Sequence, residues 1–220
     1  MPNSLLLPQV QNVLEQLHTL ADARDEAIVQ QVRGNEAAWN AATSQQKAAM
    51  LQDALLPVSS DAGRFLYAVA RSIAARRIVE FGTSFGVSTI YFAAALKDNG
   101  GGVVIGSELE GSKVAKANRH LAAAGLSPFA EIRAGDAMQT LRDVGGAVDL
   151  LFLDGWKLMY ADVLKLLMPS LRQGSVVLAD DVTLFPDDVA SYLAFVRDPV
   201  NGFVTATLPL GDGIEYSVKL

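Results

Sequence analysis

Apolar residues along this 220-residue chain follow a helical spacing first and a strand spacing later. In residues 8–34 they recur at helical intervals, which predicts one long helix whose apolar face is formed by Val10, Val13, Leu14, Leu17 and Leu20. Residues 45–55 predict a second helix. A third should begin at the polar segment 59–61, where Ser59 can cap it, and continue through Ile73. We expect residues 1–56 to form a helical cap and 57–220 the core of one domain.

From residue 77 onward, short apolar runs alternate with helical stretches. The runs predict strands at 78–81, 103–107, 130–133, 148–153 and 175–179, and the stretches predict helices at 88–96, 111–124, 138–144, 160–171 and 188–197. This alternation is typical of an α/β fold with a parallel sheet covered on both faces. Two final runs, 203–210 and 214–220, flank Gly211-Asp212-Gly213, which is a hairpin signal. The last strand should therefore lie antiparallel to its neighbour.

The composition of the chain argues against several classes of protein. The 18 basic and 24 acidic residues give a net charge of −6, so the composition gives no sign of nucleic-acid binding. No apolar run approaches the ~18 residues of a membrane span. Cysteine is absent, which excludes disulfides and thiolate chemistry and fits the cytoplasmic location that we expect. The two histidines, His18 and His120, fall in predicted helices away from the strand ends, which argues against Ser-His-Asp chemistry and histidine-rich zinc sites.

Glycine and acidic residues at three strand ends predict a nucleoside site. Gly82 and Gly86 form a G-x-x-x-G turn after the first strand, where glycine lets backbone N–H groups approach a ligand; a plain tight turn is the alternative. Glu108, at the second strand end, can accept both hydroxyls of a ribose, or it can be a solvated acid before a helix. Asp136, at the third, can accept from an adenine amine and also cap the next helix.

Carboxylates at two further strand ends predict a metal site. Asp154 and Asp180 end strands that should be neighbours in the sheet, and Asp181 follows directly. Converging carboxylates repel one another unless a cation lies between them, and oxygen ligands without His or Cys suit Mg²⁺, Mn²⁺ or Ca²⁺ rather than zinc. In the alternative interpretation, Asp181 caps the next turn and Asp154 pairs with Lys157. We favour a divalent metal, Mg²⁺ first, beside a bound cofactor.

Residues 154–160, Asp-Gly-Trp-Lys-Leu-Met-Tyr, followed by Leu-Ala-Asp-Asp at 178–181, resemble the metal-dependent catechol and caffeoyl-coenzyme A O-methyltransferase family. The resemblance extends from about residue 58 to the C-terminus and includes Asp61-Ala-Gly-Arg-Phe65, the glycine turn and the final hairpin. It implies a class I methyltransferase with a Rossmann-like seven-stranded sheet, mostly parallel with an antiparallel C-terminal strand. It also implies S-adenosylmethionine as methyl donor, a small catechol-like acceptor and a homodimer.

The resemblance further implies a role for each matching residue. Asp154, Asp180 and Asp181 match the metal ligands, Lys157 the catalytic base and Glu108 the ribose ligand. Trp156 matches a tryptophan that borders the donor pocket, although simple packing on the rim of the sheet is the alternative. The whole set expected around the methyl donor is Val58, Glu80, Gly82, Ser84, Ser88, Glu108, Asp136, Ala137, Asp154 and Trp156.

Two positions depart from the family pattern. Asp181 stands where the family usually has Asn, and Gly155 stands where it has a larger residue. A third aspartate should tighten the binding of a divalent ion and weaken the binding of an anionic catecholate. A metal-independent methyltransferase with another small acceptor is therefore one alternative. A non-catalytic nucleoside-binding protein of the same fold is another, whereas a nicotinamide oxidoreductase would need the G-x-G-x-x-G fingerprint that this chain lacks.

Overall fold

A computed structural model describes residues 3–220, in which seven strands form a single sheet. The strands are β1 (Arg77–Phe81), β2 (Val103–Glu108), β3 (Ala130–Ala134), β4 (Val148–Leu153), β5 (Leu171–Ala179), β6 (Phe203–Leu208) and β7 (Ile214–Lys219). Their order in the sheet is β3-β2-β1-β4-β5-β7-β6. Strands β1 to β5 are mutually parallel, and β7 runs antiparallel to both β5 and β6. The predicted fold class is confirmed.

Nine α-helices accompany the sheet in residues 3–220: α1 (Pro8–Arg33), α2 (Glu36–Ala41), α3 (Ser44–Met50), α4 (Ser60–Ser72), α5 (Val87–Asp98), α6 (Gly111–Ala123), α7 (Ala137–Thr140), α8 (Tyr160–Leu167) and α9 (Ala190–Arg197). Short 3-10 turns lie at Ser4–Leu6, Ser127–Phe129, Lys157–Met159, Met168–Ser170 and Pro199–Asn201. No helix in this part of the chain is long and apolar enough to cross a membrane.

Side chains of the central strands alternate between two hydrophobic layers. Ile78 and Leu150 pack into the layer that contains α1, α4 and α5, whereas Val79 and Leu151 pack into the layer that contains α8 and α9. This two-residue period is what a strand dictates when both faces of its sheet are covered. Helix α5 is buried throughout residues 87–96 because it lies between the sheet and the N-terminal helices.

The N-terminal cap shares one of these layers. Val10, Leu14 and Leu17 of α1 are buried in the same cluster as α5 and the sheet. Upstream of α1, the backbone N–H and the hydroxyl of Ser4 donate to the Asp98 carboxylate, at 2.7 and 2.6 Å. Packing and hydrogen bonds thus fasten the beginning of the described chain to the end of α5.

Several element boundaries differ from the sequence predictions. Helix α8 ends at Leu167 rather than 171, because the chain enters a 3-10 turn that contains Pro169, and β5 then begins at Leu171 rather than 175. Helix α3 ends at Met50 rather than 55, and α7 ends at Thr140 rather than 144. Strand β6 ends at Leu208, directly before Pro209, which has no N–H to donate. Helix α2 has no counterpart in the predictions.

Candidate functional site

The carboxyl ends of the central strands meet in one row. The N–H of Asp154 donates to Phe81 O at 2.8 Å, and the N–H of Asp180 donates to Leu153 O at 2.9 Å. These bonds continue the parallel ladder one residue beyond the ends of β4 and β5. The residues that follow β1, β4 and β5 are therefore held at the same edge of the sheet, which is where open α/β sheets bind ligands.

Gly82 begins the turn between β1 and α5, and nothing larger fits there. Its φ is +97°, and a Cβ atom would lie 2.4 Å from the carbonyl oxygen of Asp154. Ser84 also has a positive φ of 47°, and Gly86, with a φ of 88°, precedes the first residue of α5. The predicted donor turn therefore lies in direct contact with the first predicted metal ligand.

Glu80 supports this turn from beneath. Its carboxylate has no solvent exposure and accepts hydrogen bonds from the hydroxyls of Thr83 (2.9 Å), Ser88 (2.7 Å) and Thr89 (2.5 Å). Burial raises the pKa of Glu80, although the three hydroxyl donors oppose the shift. Glu80 and Ser88 were both expected around the donor, and they bond to each other here. Glu80 therefore contributes to the predicted donor site by fixing the shape of the turn.

His120 of α6 also contacts the glycine turn. Its Nδ1 lies 2.9 Å from the carbonyl oxygen of Phe85, and the two rings are stacked. The prediction that this histidine is helical is confirmed, but its placement away from the strand ends is wrong. Sequence spacing could not reveal the contact, because α6 returns to the turn only through the packing of α6 beside β2.

Glu108 lies beside the same turn at the end of β2. Its two oxygens accept from the backbone N–H groups of Ser84 and Glu110, each at 2.8 Å. Since a carboxylate has about four acceptor positions, two remain for the hydroxyls of a ribose. At the next strand end, Asp136 caps α7 by accepting from Met138 N at 2.9 Å, so the expected capping role is present.

Three carboxylates converge after β4 and β5. One oxygen from each of Asp154, Asp180 and Asp181 lies within 4.8 Å of the others, the only such group of potential metal ligands in residues 3–220. Asp180 is buried, and the other two are partly exposed. Asp181 has a φ of 60°, and a hydrogen bond from the following Val182 N to Gly213 O ties its loop to the β6–β7 hairpin. The structure therefore brings together all three predicted metal ligands.

Lys157 lies among these carboxylates. Its Nζ is 3.2 Å from Asp154 Oδ1 and 2.8 Å from Asp181 Oδ2, and it donates to the hydroxyl of Tyr160 at 2.8 Å. That hydroxyl in turn donates to the carbonyl oxygen of Asp180 at 3.2 Å. Tyr160 is the last residue of the segment 154–160 on which the family resemblance rests, but no role was predicted for it from the sequence.

Burial and charge together shift the pKa values of this group. Burial and repulsion from Asp181 raise the pKa of Asp180 to about 7, although Lys157 opposes the shift. Burial alone would lower the pKa of Lys157, but Asp154, Tyr160 and Asp181 outweigh it and hold the pKa well above its usual range. Lys157 is therefore an ammonium at neutral pH in this arrangement. Burial, with repulsion from Asp180 and Asp181, also raises the pKa of Asp154, although Lys157 opposes the shift. A further cation would favour the ionised form of all three carboxyl groups.

An aromatic pair connects the cap to this edge of the sheet. The ring centroids of Trp39 in α2 and Trp156 are 5.9 Å apart, and Lys47 Nζ lies 5.1 Å from the centroid of the Trp39 ring. Trp156 directly precedes Lys157, so the pair stands next to the carboxylate group. Trp39 was not among the predicted site residues, because no apolar pattern predicts α2.

Five of the expected donor residues line one cleft. Val58, Gly82, Ser84, Ser88 and Asp154 face it, together with Leu55, Leu56, Pro57, Thr83, Phe85 and Val87. The other expected donor residues, Glu80, Glu108, Asp136, Ala137 and Trp156, are not part of its lining. The cleft therefore has two walls, one formed by the segment before α4 and the other by the glycine turn.

Comparisons with known proteins agree with this arrangement. A family model described as a methyltransferase domain matches residues 79–182, from β1 to the acidic end of β5. The catechol O-methyltransferase of Mycobacterium tuberculosis is 33% identical over 150 residues, which are 68% of this chain and 66% of that protein. That of Niastella koreensis is 32% identical over 131 residues, 58% of each chain. The alignments thus span less than two thirds of each relative's own length, 66% and 58%.

A solved structure agrees with both sequence relatives. The O-methyltransferase TomG from Streptomyces achromogenes, in complex with S-adenosylmethionine, superposes with a TM-score of 0.67 at 25% identity, covering 81% of this chain and 90% of that one. Residues 79–182 therefore form a methyltransferase domain, and the chain is similar in sequence to the catechol and caffeoyl-coenzyme A O-methyltransferases. The TomG structure contains S-adenosylmethionine, which supports the methyl donor expected from the sequence.

Proposed function

We propose that the protein transfers the donor methyl group to a hydroxyl of a small acceptor of the catechol type, with the help of a divalent metal. One observation carries the proposal: Asp154, Asp180, Asp181 and the Lys157 amine converge directly beside Gly82 of the donor turn. A group that binds an acceptor oxygen there is within reach of a methyl group bound over the turn, which is the arrangement that methyl transfer needs.

The donor atoms of the carboxylate group fit a hard divalent cation. All three ligands offer oxygen, no thiolate or imidazole is among them, and such sets suit Mg²⁺ first, then Mn²⁺ or Ca²⁺. Asp154, Asp180 and Asp181 would hold the ion. When bound, it would supply two things: a lowered pKa for an acceptor hydroxyl and a fixed position for two vicinal oxygens.

Lys157 is proposed to take the proton of the acceptor hydroxyl. The oxygen then forms a bond to the donor methyl carbon, the carbon–sulfur bond breaks, and its electron pair stays on sulfur to give S-adenosylhomocysteine. To accept a proton, Nζ must first be neutral, yet its contacts with Asp154 and Asp181 favour the ammonium. The base role therefore requires that these carboxylates be shared with another cation. Tyr160, 2.8 Å from Nζ, holds the amine in place.

Trp39 and Trp156 support an aromatic acceptor. Two indole rings beside the proposed base offer apolar faces on which a planar ring can pack, and such pairs contribute about 0.5–1.5 kcal/mol beyond the burial of area. Exposed apolar side chains follow both acidic strand ends: Leu158, Leu184 and Phe185. These apolar side chains suit a flat, mostly apolar acceptor with adjacent hydroxyls better than a highly charged one.

The ion pairs of Lys157 favour a second candidate, a metal-independent methyltransferase. An ammonium 2.8 Å from Asp181 and 3.2 Å from Asp154 already supplies a positive charge where the metal is proposed. In that case the lysine would stay protonated and donate a hydrogen bond to an acceptor oxygen. The two candidates differ in their need for a metal and can be separated directly.

The test is transfer of labelled methyl from S-adenosylmethionine to a panel of small catechols, first with Mg²⁺ and then with excess EDTA. We expect transfer that EDTA abolishes and added Mg²⁺ restores. Transfer that is unchanged by EDTA would support the metal-independent candidate. Binding of S-adenosylmethionine without transfer to any catechol would overturn the proposed acceptor class. A homodimer and a cytoplasmic location, both expected from the sequence, stay predictions.

A further inference from the structure

Asp25 of α1 holds the segment that forms one wall of the donor cleft. Its Oδ1 accepts from the backbone N–H of Leu55 at 2.9 Å, and its Oδ2 accepts from that of Leu56 at 2.7 Å. Both carboxylate oxygens are thus used on two successive backbone donors. Hydrogen bonds to an ionised acceptor are stronger than neutral ones, so this pair is a firm attachment between the cap and the segment before α4.

The backbone conformation of this wall needs such an attachment. Leu56 has a φ of 48°, in the left-handed region that a leucine rarely adopts, and its side chain is exposed, so side-chain packing does not hold it there. Pro57 follows and restricts it further. The bond from Leu56 N to Asp25 is therefore the contact that stabilises the strained residue.

From this wall, hydrogen bonds lead directly to the donor turn. The carbonyl oxygen of Leu55 accepts from the hydroxyl of Ser84 at 2.7 Å, and the N–H of Ser84 donates to Glu108 at 2.8 Å. A continuous chain of bonds thus runs from Asp25 to the proposed ribose ligand. Every member of the chain except Asp25 and Glu108 lines the cleft.

A second attachment holds the same segment from α6. Lys116 Nζ lies 3.1 Å from Asp53 Oδ1 and 3.5 Å from the carbonyl oxygen of Gln52. This ion pair is partly exposed and is expected to contribute little, so it cannot replace Asp25. Of these two polar attachments of the segment 52–58, the one through Asp25 is therefore the stronger.

We propose that Asp25 is a positioning residue for the methyl donor: it sets residues 55–58 as the outer wall of the donor cleft and so couples the N-terminal cap to donor affinity. This inference deepens the proposed function, because it concerns the donor site of the same reaction. It does not depend on which acceptor is methylated. Donor binding can be measured without any acceptor or metal.

The experiment compares Asp25→Ala and Asp25→Asn with Asp22→Ala, an exposed aspartate on the same helix, as matched control. Calorimetry with S-adenosylmethionine and with S-adenosylhomocysteine gives the Kd of the full-length protein. We expect the Kd to rise about tenfold or more in Asp25→Ala and less in Asp25→Asn, which keeps one acceptor oxygen. The control should bind as the unchanged protein does.

A merely structural role would have a different signature. Loss of stability alone lowers the folded fraction, and with it the apparent number of binding sites, but leaves the Kd of the folded molecules unchanged. We also expect faster amide exchange at Leu55 and Leu56 in both variants, with kcat at saturating donor close to that of the unchanged protein. An unchanged Kd in folded Asp25→Asn and Asp25→Ala overturns the proposal, as does an equal rise in the Asp22→Ala control. If the donor affinities change as expected but no catechol is methylated, the proposed function is contradicted and the role of Asp25 is not.

Discussion

Lys157 and Asp181 form an ion pair of 2.8 Å inside the group that is proposed to bind a metal. The aspartate that departs from the family pattern is thus the one closest to the proposed base. An asparagine at this position would contact Lys157 without a formal charge. The extra carboxylate therefore acts on two properties at once, the affinity for a cation and the protonation of the lysine.

Replacing the proposed base should stop the chemistry and spare donor binding. For Lys157→Ala we expect turnover to fall by about 10²–10⁴-fold, the usual contribution of general acid–base catalysis, because no other amine lies in the described carboxylate group. Single-turnover transfer of labelled methyl measures the rate, and calorimetry measures the Kd of S-adenosylmethionine. Lys165→Ala, on the exposed side of α8, is the control. Turnover close to normal in Lys157→Ala would remove this residue from the mechanism.

Replacing the unusual ligand should weaken metal binding. In Asp181→Asn the site loses one negative charge at contact distance, so we expect the affinity for Mg²⁺ to fall about tenfold, which corresponds to about 1.4 kcal/mol. Calorimetric titration of the S-adenosylhomocysteine complex with Mg²⁺ checks this. Asp188→Asn changes net charge equally on an exposed part of the neighbouring loop and should have no effect. Equal or tighter binding in Asp181→Asn would show that the negative charge of Asp181 does not contribute to the affinity for the metal.

Gly155 and Phe81 should be energetically coupled. A Cβ atom on Gly155 would lie 2.6 Å from Cε1 of the buried Phe81 ring, which explains why a larger residue is absent there. Gly155→Ala should lower the free energy of unfolding by about 1–3 kcal/mol through overpacking. In the background of Phe81→Leu, the same change should cost at least about 1 kcal/mol less. Urea unfolding of the four proteins measures this coupling, and strict additivity would contradict the steric explanation.

Asp149, at the beginning of β4, should make stability depend on pH in acid. Burial raises the pKa of this carboxyl, but hydrogen bonds from Arg76 N, Arg77 N and the Arg172 guanidinium outweigh it, so the net pKa is lowered. The resulting stabilisation is present above the unfolded pKa of about 3.9 and is lost as the pH falls through the folded pKa.

We therefore expect Asp149→Ala to lower the free energy of unfolding by about 1–3 kcal/mol at pH 7, and by clearly less at pH 3 and below. Urea unfolding at both pH values checks the difference. Asp187→Ala, an exposed aspartate, is the control and should show no such convergence. A deficit of the same size at pH 7 and at pH 2 would mean that the ionised carboxylate is not what stabilises this end of the sheet.

The strand ends were predictable because their chemistry is local. Gly82, Glu108, Asp154 and Asp180 each follow an apolar run directly, and parallel strands place such residues at one edge whatever the loops do. The role of Glu80 was less accessible. An acid within an apolar strand can face a ligand or the protein interior. The structure distinguishes the two, because the hydroxyls of Thr83 and Ser88 donate to Glu80 inside the protein.

Parts of the site that depend on the cap could not be predicted. Helix α2 has six residues and none of them is buried, so no apolar periodicity marks it. The contact between Trp39 and Trp156 joins positions 117 residues apart in the sequence and depends on how the cap lies on the core. Asp25 is similar, because an acid on a long surface helix reads as a solvated side chain until its backbone partners at 55 and 56 are known.

The pairing of Trp39 with Trp156 means that the proposed acceptor side of the site is built from two stretches of chain that lie far apart in the sequence. The proposed metal ligands and the proposed base all lie in residues 154–181, whereas one of the two indole rings comes from the first fifty residues. If the proposed function holds, substitutions in α2 would change the aromatic side of the acceptor site and leave Lys157 and the three carboxylates in place.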